Sequence, residues 1–462
     1  MSVRLRMVGM HARALHAHLF SGDDNEAVAF GLCGRHRAGE HDLLLVHEIH
    51  PIPYDQCPVR TPQQVTWRTE SLEPLLLRAA AHGWALVKFH SHPTGFREFS
   101  RTDDASDRDL FPSVYGWIDD AGPHASVVML PDMYMFGRSI SSDNEHAPLD
   151  RISLVADDIK IYGRETGQRF AEHAKRHRQL FGDATTHVLR SLSIGVVGCS
   201  GTGSLVIEML ARLGVQRLVL VDSKVVEHRN LNRIVGTTVD DADQKRPKTA
   251  ALADHVRAMG LGTVVTPIHG AVASRDAVLA LAGCDIVFGC MDSHDGRRTL
   301  QRLAAYYALP YFDCGVGLVA DGLGGIDEIC AAAHYFRPDG SSAQARGVIR
   351  NKRADAEALA RANPEAYAEL RKDGYIDGVP VDSPAVISVN ALAASLVVNE
   401  MLARLHPYRD APNSSCASVR FVYSQMRLDL EHDDGDGARP ALIGRGDVEP
   451  LLDMPELSSP VA

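Results

Sequence analysis

The sequence predicts an α/β protein in which an α+β domain precedes a doubly wound parallel sheet, and three observations predict it. The chain has 462 residues, too many for one ordinary hydrophobic core, so two or more domains are the default. Up to about residue 140, short strand-like runs alternate with amphipathic segments. From Arg190 onward, apolar β-branched runs alternate with helix-like stretches, the strand–helix–strand pattern of a parallel sheet covered on both faces.

Composition narrows the function classes. Hydrophobic residues make up 45% and charged residues 23%, the profile of a globular chain. The net charge of −11 argues against a nucleic-acid binder, which needs a basic footprint. No apolar run approaches the roughly 20 residues that cross a bilayer. Arg and His interrupt every apolar stretch of the opening MSVRLRMVGMHARALHAHLF, so it does not read as a secretory signal. Eight cysteines scattered without a CxxC pair read as reduced thiols of a cytoplasmic protein.

In order along the chain, apolar runs predict strands at Ala27–Cys33, Leu43–Ile49, Ala85–Phe89, Ser126–Leu130 and Tyr134–Phe136, with a helix at Leu72–Ala81. Ser139–Pro148 is polar and aperiodic and reads as a linker. Leu192–Val197 is the next buried strand, followed by a glycine turn and a helix at Ser204–Leu213. Leu218–Val221 and Ile286–Phe288 are further buried strands. Lys352–Arg371 reads as a solvated helix and Pro384–Leu405 as a buried one interrupted by Asn390. After Leu430 the run EHDDGDGARP predicts a disordered tail. The expected division is a first domain at 1–140, a linker at 141–164, a second domain at 165–432 and a tail at 433–462.

The sharpest chemical signal is His90-Ser91-His92 followed by Ser100-Arg101-Thr102-Asp103. The histidines end an apolar strand, and strand residues two apart share a face, so both imidazoles can reach one metal. Asp103 adds an oxygen ligand and leaves the fourth position of a tetrahedral zinc open. Such a site lowers the pKa of water towards about 7 and polarises a carbonyl. Ser100-x-x-Asp103 alone is also a helix N-capping pattern, and the two roles are compatible. Together the residues match HxHx7SxxD and resemble the zinc signature of the JAMM (JAB/MPN+) metalloprotease family, with Pro93 after the second histidine. The resemblance covers roughly the first 140 residues and implies a JAB/MPN-like fold. It also implies zinc on His90, His92 and Asp103, a general base at Glu26 in the segment EAVAFGLCG, and oxyanion stabilisation by Ser100. Glu48, in HEIHP on another predicted strand, is the rival base. The family cuts bonds that follow the C-terminal glycine of ubiquitin-like proteins.

The second signal is Val196-Val197-Gly198-Cys199-Ser200-Gly201-Thr202-Gly203, between a strand and a helix. Gly198, Gly201 and Gly203 let backbone approach phosphate at a helix N-terminus, although many dinucleotide enzymes share this turn. Asp222 ends the next strand, Asn230 and Arg233 follow shortly, Lys248 lies in RPKTAAL and Asp292 in CMD. A dehydrogenase has no use for this set. Adenylation of a carboxylate does, because cations must neutralise a triphosphate and an acid must hold Mg²⁺.

From about Arg178 to about Arg427 the pattern resembles the ThiF/MoeB/ubiquitin-activating superfamily, including DCGVGL and PAVISVNALAAS, and implies a Rossmann-like adenylation domain. The resemblance assigns Asp222 to ribose, Arg233 and Lys248 to phosphates, Asn230 to ordering the site and Asp292 to Mg²⁺. Arg178, in HRQLFG, resembles an arginine that the family supplies from a partner subunit, and it also reads as a surface residue of the basic helix HAKRHR. Ser200 replaces the second glycine of the commoner turn, and Ser342–Ala345 stand where related chains often carry a CxxC. Cys314, in FDCGVG, and Cys330 are the candidates for a thioester.

The combined expectation is a bifunctional enzyme. It adenylates the C-terminal glycine of a ubiquitin-like β-grasp protein with ATP and Mg²⁺, with a thioester as the further step, and it carries a zinc isopeptidase or processing peptidase. A homodimer and a conjugating-enzyme partner are expected, with no nucleic acid and no membrane. The alternative is a sulfur-carrier adenylyltransferase of cofactor or metabolite biosynthesis.

Overall fold

The computed structural model describes residues 2–39, 41–118, 122–163, 172–321, 323–372 and 384–459. Residue 164 of the expected linker, 165–171 at the expected start of the second domain and 460–462 of the expected tail lie outside them. The chain divides into two compact units: Met1–Glu165 with Ala305–Ala308 and Arg439–Asp453, and Thr166–Ala304 with Leu309–Ala438 and Met454–Ala462.

The first unit runs β1 (Ser2–Val8), α1 (Gly9–Leu19), β2 (Val28–Ala38), β3 (His41–Pro51), β4 (Val59–Thr61), β5 (Gln64–Thr66), α2 (Glu73–His82), β6 (Ala85–Ser91), α3 (Arg101–Trp117), β7 (His124–Met129), β8 (Met135–Ile140), β9 (His146–Pro148), β10 (Arg151–Val155) and β11 (Ile159–Gly163). Nine of these strands form one sheet in the order β11-β10-β1-β3-β2-β6-β7-β8-β9, and β4 pairs with β5 in a separate hairpin. Helix α1 covers one face through Ala12, Leu15 and Leu19, packed with Ala85, Val87 and Phe89 of β6. Helices α2 and α3 cover the other face through Leu75, Leu76, Ala79, Leu110, Phe111 and Val114, packed with Leu86. The two-residue period of a strand therefore sends the even-numbered residues of β6 towards α3.

Two expectations are corrected by the structure. The 141–164 segment is no linker: β9 pairs with β8, β10 lies parallel to β1, and β11 closes that edge. Most of its polar residues fall in the turns between these strands, at 141–145 and 156–158, where no apolar alternation is required. The disordered tail is also overturned. Arg439–Asp453 belongs to the first unit, with Ile443 and Leu452 fully buried, and Asp433 is paired with Arg337 at 3.1 Å and Arg346 at 3.2 Å. This C-terminal strap is held by backbone: Gly34 N donates to Gly444 O at 3.1 Å and Asp447 N to Arg35 O at 2.9 Å.

The second unit comprises α4 (Lys175–Leu189), β12 (Ser193–Val197), α5 (Gly201–Arg212), β13 (Arg217–Asp222), α6 (Val239–Asp243), α7 (Lys248–Ala258), β14 (Val264–His269), α8 (Arg275–Ala282), β15 (Ile286–Gly289), α9 (His294–Tyr306, whose last two residues join the first unit), β16 (Tyr311–Ala320), β17 (Ile326–Phe336), α10 (Asn351–Ala362), α11 (Pro364–Lys372), α12 (Ile387–Leu405), β18 (Ser418–Val422) and β19 (Arg427–Glu431). Its sheet has the order β14-β13-β12-β15-β16-β17-β18-β19. The first five strands are parallel and the last three antiparallel. The connection order reverses between β12 and β15, so the carboxyl ends of these two strands flank the crevice where such sheets bind ligands. The helix expected over Lys352–Arg371 is two helices, broken where Asn363 precedes Pro364 and loses the helical conformation. Among the described residues, no helix is long and apolar enough to cross a membrane.

Candidate metal and nucleotide sites

Strand β6 delivers His90 at its end and His92 just beyond it, and α3 delivers Asp103 from its first turn. All three are buried. His90 Nε2 lies 3.2 Å from His92 Nε2, and Asp103 Oδ1 and Oδ2 lie 3.0 Å and 3.3 Å from the two nitrogens. Bonds of about 2.0–2.1 Å to a tetrahedral cation give ligand–ligand edges of about 3.3 Å, so the triangle has the size of one tetrahedral face. His92 Nδ1 is held by Phe96 O at 2.8 Å, which leaves Nε2 to face the centre. Two imidazole nitrogens aimed at each other across 3.2 Å need a shared cation or proton, and the donor set fits a metal ion.

The environment polarises these groups. Burial alone would raise the Asp103 carboxyl, but hydrogen bonds with His90, His92 and Ser100 outweigh it and hold Asp103 well below the usual carboxylate range. Burial pushes His90 down, while at His92 Asp103 and the Phe96 carbonyl overcome burial and hold the imidazole up. Ser100 and Asp103 also form a reciprocal cap of α3: Ser100 N donates to Asp103 Oδ2 at 2.6 Å and Asp103 N to Ser100 Oγ at 3.1 Å. The Ser100 hydroxyl proton remains free of that bond.

Glu26 precedes β2 and lines a small cavity with Trp67, Lys88, His90 and Asp103. Burial pushes its carboxyl up to about 7, with His92 opposing and Asp103 adding to the rise. Its neighbour Ala27 is tied to β6, with Ala27 N donating to Ser91 Oγ at 2.9 Å and Ser91 N to Ala27 O at 3.1 Å. The rival Glu48 is spoken for: Arg78 grips both its oxygens at 2.6 Å and 2.9 Å and His50 meets it at 2.9 Å. The Arg78 hydrogen bonds hold Glu48 below its usual value, which suits an ion-pair partner and not a base.

Two residues near this centre are missed by sequence reasoning. Lys88, 2% exposed, pairs with Asp107, which is fully buried, and donates to Ser106 Oγ at 3.2 Å. Asp107 Oδ2 also accepts from Arg138 Nε at 2.9 Å and Nη2 at 2.7 Å. The signal is present in the spacing, since Lys88 stands two residues before His90 and Asp107 four after Asp103.

In the second unit the glycine turn has the expected form. Gly198 has φ +94°, and a Cβ there would stand 2.5 Å from Cys290 O. A Cβ on Gly203 would stand 1.8 Å from Gly198 O, so the helix approaches the turn more closely than any side chain allows. Ser200 makes no side-chain cap on α5, which leaves the first-turn amides to another acceptor. Asp222 braces the turn from the next strand, accepting from Cys199 N at 2.7 Å and Lys224 N at 2.8 Å. Gly201 lies against Arg233 and Asn390: an added Cβ would stand 3.3 Å from Arg233 Cδ and 2.1 Å from Asn390 Nδ2. Lys248, 4% exposed, opens α7; burial pushes its ammonium down while Asp222 opposes that shift. Asn230 is buried and accepts from Glu227 N at 3.2 Å. Asp292 is exposed just past β15, beside the carboxyl end of β12. The structure thus gathers the glycine turn, Asp222, Arg233 and Lys248, and adds Asn390, which the sequence marks only as a polar break in a helix.

Other assignments gain no geometric support. Arg178 lies on α4, where its guanidinium holds Asp183 at 2.7 Å and 3.0 Å. Cys314 is 5% exposed and burial pushes its thiol far up; Cys330 is 6% exposed and is also pushed up by burial. Neither surrounding favours the thiolate that a thioester requires. Beside Cys314, fully buried Asp313 meets Arg297 Nε at 3.0 Å and Tyr311 Oη at 2.7 Å, an interior ion pair that no local sequence pattern announces.

Comparison with known proteins follows the same division. The ThiF family model matches residues 174–433, and the model for prokaryotic homologs of the JAB domain matches residues 10–138. The SAMP-activating enzyme E1 of Haloferax volcanii is 34% identical over 122 residues, covering 26% of this chain and 44% of that enzyme. Ubiquitin-like modifier-activating enzyme 5 of Oryza sativa subsp. japonica is 28% identical over 140 residues, covering 28% of this chain and 33% of that protein. The chain therefore spans less than half the length of these curated relatives. Among solved structures, E. coli MccB with ATP is similar over 58% of this chain and 73% of its own, with 16% identity and a TM-score of 0.42.

Proposed function

The chain belongs to the ThiF family and carries ahead of that region a prokaryotic homolog of the JAB domain; from this premise we propose that it activates the C-terminal glycine of a ubiquitin-like β-grasp protein and also hydrolyses the bond that follows such a glycine. The observation that supports the reading is preassembly. Three donors stand 3.0–3.3 Å apart in the first unit, and a glycine turn, an acid and two cations converge in the second.

In the peptidase half, His90, His92 and Asp103 would hold zinc, which supplies Lewis acidity to the scissile carbonyl and the attacking water. Glu26, kept near neutrality by burial, takes the proton of that water and passes it to the leaving amine. Ser100, whose oxygen caps α3, would turn its hydroxyl proton to the oxyanion. In the adenylating half, the first-turn amides of α5 with Arg233 and Lys248 bind phosphates, Asp222 binds ribose, Asn230 orders the site and Asp292 binds Mg²⁺. The glycine carboxylate attacks the α-phosphorus, the bond to pyrophosphate breaks, and an acyl-adenylate forms.

The test uses the whole protein. ATP–pyrophosphate exchange should appear with glycine-ended β-grasp proteins and vanish in Asp292→Ala, which should still cleave a C-terminally extended form of the same protein. Absence of exchange with every such protein, or exchange intact in Asp292→Ala, overturns the adenylating half.

One observation favours a second reading, sulfur-carrier activation. Burial raises the thiols of Cys33, Cys57, Cys199, Cys290, Cys314 and Cys330 alike. An acyl-adenylate released to an outside sulfur nucleophile needs no thiolate of this chain. A reductant-sensitive adduct between the enzyme and its protein substrate on a gel would exclude that ending.

A further inference from the structure

Strand β6 and helix α3 face each other through two rows of polar side chains, and only one row holds the metal ligands. Lys88, His90 and His92 are spaced by two and share the strand face turned to α3, while Asp103 and Asp107 are spaced by one helical turn. Two strand residues advance about 6.7 Å and four helical residues about 6 Å, so the two rows fall in step. In the first row, Asp103 meets the histidines at 3.0 Å and 3.3 Å. In the second, Lys88 pairs with Asp107 and reaches Ser106 Oγ at 3.2 Å, while Arg138 grips Asp107 from the far side at 2.7 Å and 2.9 Å.

Such a pair is a poor way to gain stability. Lys88 and Asp107 are 3% and 0% exposed at their side chains, and removing two charges from water usually cancels most of their attraction, so apolar residues of similar volume often serve as well. What apolar residues lack is direction. An ion pair with an added hydroxyl contact fixes the depth and rotation of α3, whereas an apolar contact allows a helix to slide by fractions of an ångström. Metal ligands do not tolerate that slack.

We propose that Lys88 and Asp107 form a second rung between β6 and α3, and that Lys88 is the positioning residue that presents Asp103 to His90 and His92. The proposal rests on the peptidase reading above, because it concerns the same metal. Its consequence is that zinc retention, and not only fold stability, depends on a lysine outside the ligand set.

Zinc affinity of the full chain, measured by chelator competition, tests it beside thermal unfolding of the metal-free protein. Lys88→Met alone leaves Asp107 with Arg138 only and should lower both stability and affinity. The double variant Lys88→Met/Asp107→Leu removes both charges of the pair and leaves Arg138 to Asp104, so its stability is not expected to return in full, and it should hold zinc about 10- to 100-fold more weakly than the natural chain. Lys88→Arg, which keeps the charge, should hold zinc more tightly than Lys88→Met. A folded double variant with natural zinc affinity overturns the positioning role. If the double variant does not fold, a folded Asp107→Asn with undiminished affinity overturns it equally. Failure of the natural chain to bind zinc at all would instead refute the peptidase reading, so the two failures are distinct.

Discussion

Replacing Ile443 by Ala tests whether the C-terminal strap is part of the first unit's core. Ile443 is fully buried against Val8 and Ala308, with Met10 packed at the edge. Its carbonyl meets His47 Nδ1 at 2.6 Å, and Gly444 N next to it donates to Ala305 O at 3.0 Å. Truncating a buried Ile costs about 2–5 kcal/mol; this cluster is small, so the lower half of that range, about 2–3 kcal/mol, is expected. At tenfold per 1.4 kcal/mol, amide protection in β2 and β3 should fall about 30- to 150-fold. Hydrogen exchange reads this directly, with β12 and β13 of the other unit as the internal reference. Gly34→Ala should act in the same direction, because its Cβ would stand 2.3 Å from Arg445 C and 2.4 Å from Gly444 O. Unchanged protection in β2 and β3, in Ile443→Ala or after removal of residues 439–462, would refute the reasoning.

Further outcomes follow from the two sites. Glu26→Gln should lower cleavage of an extended substrate by about 100-fold or more with zinc content unchanged, and residual cleavage near the natural rate would remove Glu26 as base. Because burial raises Glu26 from 4.5 to about 7, the metal-free folded state binds more protons than the unfolded chain between those values. Its contribution therefore favours folding at low pH and is lost as pH rises through 7, and the stability difference between Glu26→Gln and the natural chain should grow in that direction in metal-free urea titrations. Lys248→Ala should reduce pyrophosphate exchange by about 100-fold or more, and exchange within a few-fold of normal would move the phosphate site elsewhere. Cys314→Ala and Cys330→Ala should keep full exchange, a result that loss of activity in either variant would contradict.

The sequence disclosed what is local. Strands such as Ala85–Phe89 and Leu192–Val197 are apolar because they are buried on both faces, and the ligand triad shows through spacing alone. What stayed hidden depends on partners far along the chain. Ser2–Val8 is a central strand, yet its arginines disguise it; Arg4 is answered by Asp150 at 2.7 Å and Arg6 by Tyr307 O at 2.7 Å. The strap was hidden for a related reason. It docks through glycine backbone and a few apolar side chains, and it follows the Gly- and Asp-rich run DDGDG at 433–437, so the whole stretch matches the composition of a disordered segment. Cys314 shows the opposite failure: a motif suggested reactivity, and only packing revealed how far burial opposes its ionisation.

Asp103 explains why the sharpest motif was also ambiguous. Read locally, Ser100-x-x-Asp103 is a helix cap; read with the histidines, it is a ligand set. The same carboxylate has the geometry for both, since Oδ2 accepts from Ser100 N while the two oxygens face His90 and His92. The cap fixes where the helix begins and points its first turn at the strand end, and the helix N-terminus favours the negative charge that a cation requires. Asn at position 103, the third residue of the helix, would keep an oxygen to accept from Ser100 N, so a cap that did nothing else would tolerate it with little loss of folding. Asp103→Asn should therefore leave α3 formed and the unit folded while zinc affinity collapses, as measured by circular dichroism and chelator competition on the same sample. Zinc bound normally by that variant would mean that the carboxylate serves the helix alone, and the metal centre would have to be sought without it.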